Sequence, residues 1–190
     1  MDALLVKTPA DWAPFALQDF DAFLIDHAAC ERKASAVGMS FVVRYPDREK
    51  ILGPMIQFAR EELEHFHQVY KLVAARGLQL AGDAESPYVN LLLKHVRNGR
   101  DERFLDRLLT TSLLESRGCE RLHLVAAELQ DEKLKAFYGR LARAEGAHQT
   151  LFFDLAKLYF AESVVVERWN QLREAEAIAI TSVPYRHAVH

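Results

Sequence analysis

Cysteine is nearly absent: Cys30 and Cys119 are the two in 190 residues. That excludes a disulfide scaffold and leaves both to be read as reduced thiols. No Cys-x-x-Cys spacing occurs, so a rubredoxin-type iron site has no ligands here. Long apolar runs are missing too, and no stretch approaches the roughly 18 apolar residues of a membrane span. The start, Met1-Asp2-Ala3-Leu4-Leu5-Val6, carries an acid where a signal peptide carries a base. The expectation is a cytoplasmic protein with no membrane partner. Short alternating segments bounded by glycine and proline, the mark of a sheet, are lacking. Nor is there an excess of positive charge. With 24 Lys and Arg against 27 Asp and Glu, the net charge is -3. Binding to nucleic acid would have to come from a local basic patch.

What the chain does have is helical period. Thr8-Pro9-Ala10-Asp11 reads as a cap and first turn, so a short helix starts there and carries Trp12 and Phe15. Phe20, Leu24, Ala28, Ser35 and Gly38 recur at helical intervals along a first long helix over about 17–44. Tyr45-Pro46-Asp47 breaks it, and Asp47 is positioned to cap a second helix that ends at Arg76-Gly77. A turn-rich connection over 77–87 leads to a short helix over 88–97, closed by Asn98-Gly99. Asp101 is expected to cap a third long helix reaching about 129. Gln130-Asp131 is a tight turn before a fourth long helix over about 134–160. A last helix over 163–180 and an extended tail complete the chain. The pattern predicts one all-α domain over 1–190: a four-helix bundle of two antiparallel hairpins with a crossover and extra short helices.

Two Glu-x-x-His spacings stand on the second and fourth long helices: Glu62 with His65, and Glu145 with His148. Residues three apart share a helix face. Met55, Phe58 and Val69 around the first pair, and Tyr138, Leu141 and Phe152 around the second, place these acids on apolar faces. Glu61 and Glu64 read as solvated neighbours. In an antiparallel hairpin, residues equally far from the turn lie at equal depth. The partner of Glu62 by that measure is Glu31, and the partner of Glu145 is Glu115, at separations of 31 and 30 positions. A competing reading takes Cys30-Glu31-Arg32 and Cys119-Glu120-Arg121 as a literal repeat and nominates Glu120. Glu120 lies nearer the turn, so Glu115 is preferred. A Glu from each of two helices and a Glu-x-x-His from each of the other two form the carboxylate cage of di-iron and di-manganese bundles. Buried acids and imidazoles with no cation would be costly to desolvate. Oxygen-rich donors with two imidazoles suit iron, so two iron ions are expected. Glu31 with His65 and Glu115 with His148 would be terminal ligands, with Glu62 and Glu145 bridging. Asp26 and Asp154 are candidate partners of the outer imidazole nitrogens.

Iron storage, peroxide scavenging and hydroxylation of quinones or RNA share such a cage. The residues narrow this. Asp26-His27-Ala28-Ala29-Cys30-Glu31-Arg32-Lys33-Ala34, Glu61-Glu62-Leu63-Glu64-His65-Phe66, Glu115-Ser116-Arg117-Gly118-Cys119-Glu120-Arg121, Phe137-Tyr138 and Glu145-Gly146-Ala147-His148 follow one another in a fixed order. In these blocks, over about 4–180, the chain resembles the MiaE family, the tRNA 2-methylthio-N6-isopentenyladenosine hydroxylases. It departs from the pattern at Gly118 and Gly146 and in a short first hairpin connection. The resemblance implies a ferritin-like di-iron enzyme that uses dioxygen as co-substrate and an external electron donor. It implies hydroxylation of the prenyl group on an adenosine in the anticodon arm of tRNA, by the metal centre itself, with no separate protein acid or base assigned.

The residues permit that chemistry. Ser35, Ala59, Thr111, Ser112 and Ala142 are small and flank the ligands on inward faces, leaving room for a prenyl group. Lys94, Arg97, Arg100, Arg103 and Arg107 form a basic cluster for tRNA, with Tyr88 and Phe104 nearby for stacking. Lys133, Lys135, Arg140 and Arg143 form a second cluster. The expected partners are tRNA and an electron-transfer protein, and the expected state is a monomer or small homo-oligomer. The alternative is a ferritin-like protein of another class, either a small-molecule hydroxylase or an iron-storage or peroxide-scavenging protein.

Overall fold

The structure, a computed structural model, describes residues 3–190, and among the described residues every regular element is a helix. In order these are α1 (Trp12–Ala16), a 3-10 turn (Leu17–Asp19), α2 (Phe20–Arg44), α3 (Glu49–Ala75), α4 (Pro87–Leu93), α5 (Arg100–Glu128), α6 (Glu132–Glu145), α7 (His148–Lys157) and α8 (Glu162–Thr181). The chain groups into two compact units. One holds Ala16–Ala84 and Arg186–Val189; the other holds the chain up to Phe15, Glu85–Tyr185 and His190.

The first unit is the α2–α3 hairpin. Asp19 caps α2 by accepting the Ala22 N–H at 3.0 Å. Phe23, Leu24 and Phe41 of α2 and Ile51, Met55, Phe58, Val69 and Val73 of α3 are buried. Gly38 sets how near the two helices come. A Cβ there would sit 2.9 Å from the Phe58 ring, 3.0 Å from the Ala59 Cβ and 3.1 Å from the Met55 carbonyl. Nearby, the Ser35 hydroxyl donates to the Ala59 carbonyl at 2.7 Å. The expected cap of α3 is corrected: the N-cap position is Arg48, which makes no side-chain cap bond, and Asp47 lies one residue outside. Pro54 stands inside α3 as its sixth residue, past the first turn, so it removes the N–H that would bond to the Lys50 carbonyl. Gly77, at φ 70, ends α3 with the Leu78 N–H on the Val73 carbonyl and its own N–H on the Ala74 carbonyl, the glycine C-cap of a Schellman turn. In the tail, the Val189 N–H donates to Asp26 at 2.8 Å.

The second unit is organised on α5. Ser86 caps α4 and Pro87 fills its first turn. α4 stops at Leu93, short of the expected 97. The Arg97 N–H that would extend it donates instead to the Asp106 carboxylate at 2.9 Å. The N-cap of α5 is Gly99 rather than Asp101, which lies in the first turn. A buried ionic cluster ties α8 and the N-terminal segment to α5. Arg117, fully buried, donates to Glu176 at 2.8 Å, Glu120 at 2.6 Å, the Thr8 hydroxyl at 3.0 Å and the Val6 carbonyl at 2.8 Å. The Tyr88 hydroxyl also donates to Glu176. Burial alone would pull the Arg117 pKa down, but Glu176 and its neighbours hold it above the usual value. Asp131 caps α6 by accepting the Lys133 and Leu134 N–H groups.

The expected fourth long helix is two helices. α6 ends at Glu145 and α7 starts at His148. Gly146 and Ala147 keep right-handed backbone angles. The Gly146 N–H bonds to the Ala142 carbonyl and the Ala147 N–H to the Ala144 carbonyl, each at 3.2 Å. The second is an i to i−3 bond, so the helix tightens by a turn of 3-10 type between the two metal-ligand candidates. Glycine, with poor helix propensity, is the residue that permits the step.

Candidate metal centre

In the first unit, α2 supplies Glu31 and the continuous α3 supplies Glu62 and His65. All three are buried, and one ligand atom from each lies within 4.8 Å of the others. His65 Nδ1 is 3.7 Å from Glu62 Oε2 and 3.9 Å from Glu31 Oε2. His27, one turn before Glu31, places Nε2 2.6 Å from Glu31 Oε1. Burial, with the neighbouring His65 acting in the same direction, pushes the His27 pKa down to about 3. His27 is therefore neutral and uses its one N–H on the carboxylate. The sequence pattern does not single out this residue as functional, although a His four before a candidate ligand on the same face is the signal that finds it.

In the second unit, α5 supplies Glu115, α6 supplies Glu145 and α7 supplies His148, again with one ligand atom from each within 4.8 Å of the others. His148 Nδ1 lies 3.0 Å from Glu145 Oε2. Glu120 does not join them. It accepts from the Thr8 N–H and hydroxyl and from Arg117, as part of the buried ionic cluster. Cys119 sends its Sγ to the Ala142 carbonyl at 3.3 Å, and burial pushes its thiol pKa up. Cys30 is likewise shifted upward by burial, and its Sγ faces Asp26 at 3.6 Å. Both thiols are thus protonated.

The small residues fall beside these triads, and their hydroxyls are engaged. Thr111 donates to the Arg107 carbonyl, Ser112 to the Gln149 carbonyl and Ser35 to the Ala59 carbonyl. Ala59 and Ala142 are buried. Asp154 is exposed and pairs with Lys157 at 2.8 Å, and Asp26 holds the Val189 N–H. These contacts spend both acids away from the imidazoles they were expected to orient.

The basic clusters differ in how far their charge is already used. Arg97 forms a two-point pair with Asp106 at 2.9 and 2.8 Å, and Arg168 donates to the same carboxylate at 2.8 Å. Burial raises the Asp106 pKa, but the hydrogen bonds from Arg97 and Arg168 outweigh it and hold the carboxyl below its usual value. Tyr88 and Phe104, expected to offer stacking faces, are buried. Tyr88 is spent on Glu176 and Phe104 packs against Tyr159 and Phe160, so neither presents a face to a base. No helix among the described residues is long and apolar enough to cross a membrane.

A family model described as tRNA-(MS[2]IO[6]A)-hydroxylase (MiaE) matches residues 1–190. A Pseudomonas putida protein named tRNA 2-(methylsulfanyl)-N(6)-isopentenyladenosine(37) hydroxylase is 33% identical over 183 residues, 96% of this chain and 89% of that protein. A Salmonella typhimurium protein of the same name is 31% identical over 182 residues, 93% of this chain and 66% of that protein. Among solved structures, a Synechococcus protein described as having aldehyde deformylating oxygenase activity is similar at a TM-score of 0.94 and 33% identity, over 100% of this chain and 96% of that one. The expected all-α, ferritin-like fold class is the fold this chain shares with it.

Proposed function

The chain belongs to the MiaE family, the tRNA-(MS[2]IO[6]A)-hydroxylases, and from that membership we propose that it is a di-iron monooxygenase. Its substrate is the isopentenyl group of 2-methylthio-N6-isopentenyladenosine in tRNA. The observation that carries the metal assignment is the pair of triads, each two carboxylates and one imidazole within ligand distance of one another. Four carboxylates and two imidazoles are the donor set of di-iron bundle sites. Five of the six are buried and Glu115 is half-buried, a desolvation cost that divalent cations would offset. Glu31, Glu62, His65, Glu115, Glu145 and His148 would hold the two ions, within a single ferritin-like domain.

Two iron ions held there would supply reductive activation of dioxygen for a monooxygenation in which one oxygen atom would go to the prenyl group and the other to water, with two electrons from an external donor protein and two protons. The chain's own residues do the rest. His27 holds Glu31 in one orientation through its Nε2–H. Ala59 and Ala142, with Thr111 and Ser112 turned onto backbone carbonyls, keep the ligand surroundings small and free of competing hydroxyl donors. On this reading Thr111, Ser112 and Ala142 would border the prenyl chain, while the Ala59 Cβ packs at the close approach of α2 to α3 by Gly38. The partners on this reading are tRNA and the electron donor.

Nucleoside analysis of tRNA from cells with and without the protein is the test. The hydroxylated prenyl-adenosine is expected to vanish on deletion and to return with the wild-type chain but not with Glu62→Ala. Unchanged hydroxylation in the deletion strain would end the tRNA reading.

A further inference from the structure

The α4–α5 corner is the more conspicuous basic stretch in the sequence, but its charge is largely committed. Residues 94–107 hold five basic side chains against three acidic ones, Asp101, Glu102 and Asp106. Arg97 is paired to Asp106. The exposed side of α6 is different. From Lys133 to Ala144 the chain holds Lys133, Lys135, Arg140 and Arg143 and no acid, so the one acid on this side of α6 is the exposed Glu132 at its first position. All four are exposed, and among the described residues none of the four side chains makes an ion pair. At 3.6 residues per turn they lie on one half of the helix. The residues between them on that half are Ala136 and Gly139, which lack side chains long enough to hold a polynucleotide away. A Cβ at Gly139 would meet the Arg143 guanidinium at 3.6 Å, so Arg143 lies flat along the helix.

Position separates the two stretches as well. Arg143 and Arg140 are two and five residues from Glu145, roughly 3 and 8 Å along the axis at 1.5 Å per residue. Arg107 and Arg103 are eight and twelve residues from Glu115, roughly 12 and 18 Å along α5. The basic half of α6 faces away from its ligand side. Phosphates seated on it would be about one helix width, 10–12 Å, from the ligands. A base can span that distance over the end of α6, where Gly146 and Ala147 are exposed and carry almost no side chain.

We propose that the Lys133–Arg143 face of α6 is the seat for the RNA phosphates of the substrate, across the helix from Glu145. This rests on the tRNA-hydroxylase reading and specifies where that substrate is held. The charge complementarity is with a polyanion, and the smooth surface suits a backbone rather than a base-reading pocket. In a chain of net charge -3 such a face is the electrostatic footprint that RNA binding requires.

The test is fluorescence anisotropy with a labelled anticodon stem-loop RNA across a salt series. It uses the full chain and a variant with Lys133, Lys135, Arg140 and Arg143 all changed to Gln. Four lost phosphate contacts should weaken binding and lower the slope of log K against log salt by about 3, at roughly 0.7–0.9 per contact. A charge-conserving variant, Lys133→Arg, Lys135→Arg, Arg140→Lys and Arg143→Lys, should keep the slope. Iron content and helical circular dichroism check that the variants are folded. A wild-type slope in the Gln variant overturns the proposal. So does loss of the slope on neutralising Lys94, Arg97, Arg100, Arg103 and Arg107 instead, or an absence of salt-dependent binding in the wild type. The tRNA reading fails separately, in the nucleoside analysis of the deletion strain.

Discussion

His27 and Glu31 stand one helical turn apart on α2, with the imidazole Nε2 2.6 Å from the carboxylate and both side chains buried. Metal-binding carboxylates are commonly fixed by such a second contact, and its loss costs about 10- to 100-fold in metal affinity. His27→Phe keeps the bulk and removes the donor. Its iron affinity in a chelator competition should fall by about that factor, and His27→Gln should recover part of it. An affinity equal to wild type in His27→Phe would remove the positioning role.

Glu115 and Glu120 lie on the same helix but in different chemistry. Glu115→Ala should lose iron, as should Glu62→Ala and Glu145→Ala. Glu120→Ala should keep iron. It should lose about 1–3 kcal/mol of stability, because Arg117 and the Thr8 N–H give up a charged acceptor. Iron per chain and urea midpoints separate the two. Iron retained by Glu115→Ala and lost by Glu120→Ala would reverse the assignment.

Asp106 makes stability pH-dependent in one direction. Its folded pKa is held below the unfolded value of about 3.9. As pH falls, the unfolded chain takes up this proton first. The stabilisation is present above about pH 4 and is lost as pH falls through the lower folded value. Asp106→Asn should be less stable by about 1.5–3 kcal/mol near neutrality, having lost charge-assisted hydrogen bonds. The gap from wild type should narrow in acid below about pH 4. Unfolding midpoints of both proteins across that range check the sign. A gap that widens in acid contradicts it.

Gly38 is where α2 and α3 come closest. Gly38→Ala puts a methyl 3.1 Å from the Met55 carbonyl, which as backbone cannot step aside. Overpacking of this kind costs about 1–3 kcal/mol. The shift should also weaken the Ser35 to Ala59 bond that lies one turn away. A melting temperature lowered by several degrees is the expected result. An unchanged or raised value would mean that the helices have slack.

The ligand faces are legible in the sequence because hydrophobic period and turn position act together. Met55, Phe58, Glu62, His65 and Val69 recur on one face, and the turn at Pro46 gives a common origin for depth. That is why Glu31 and Glu115 can be named and why Glu115 is preferred to Glu120. His27 escapes because a histidine in an apolar stretch reads as a core residue until its i+4 neighbour is recognised as a ligand. The step at Gly146 escapes because one helical glycine costs only about 1 kcal/mol and does not by itself end a helix. Tyr88 and Phe104 stand among arginines and so read as surface aromatics. Their burial depends on Glu176, Tyr159 and Phe160, partners far along the chain that no local pattern announces. The block from Glu115 to Arg121 mixes two jobs: Glu115 joins Glu145 and His148 in the candidate ligand triad, while Arg117 and Glu120 hold the chain's N-terminal segment.

The two triads have the same donor types but different mechanical backing. Glu62 and His65 ride on one unbroken α-helix, so their separation is a property of a stiff rod. Glu145 and His148 ride on two helices joined by a two-residue step, exposed and cross-linked by the Gly146 and Ala147 amide bonds. A small rotation at that joint moves the His148 ring without moving Glu145. The same Glu-x-x-His spacing is thus held by one continuous helix in the first triad and by a joint between two helices in the second.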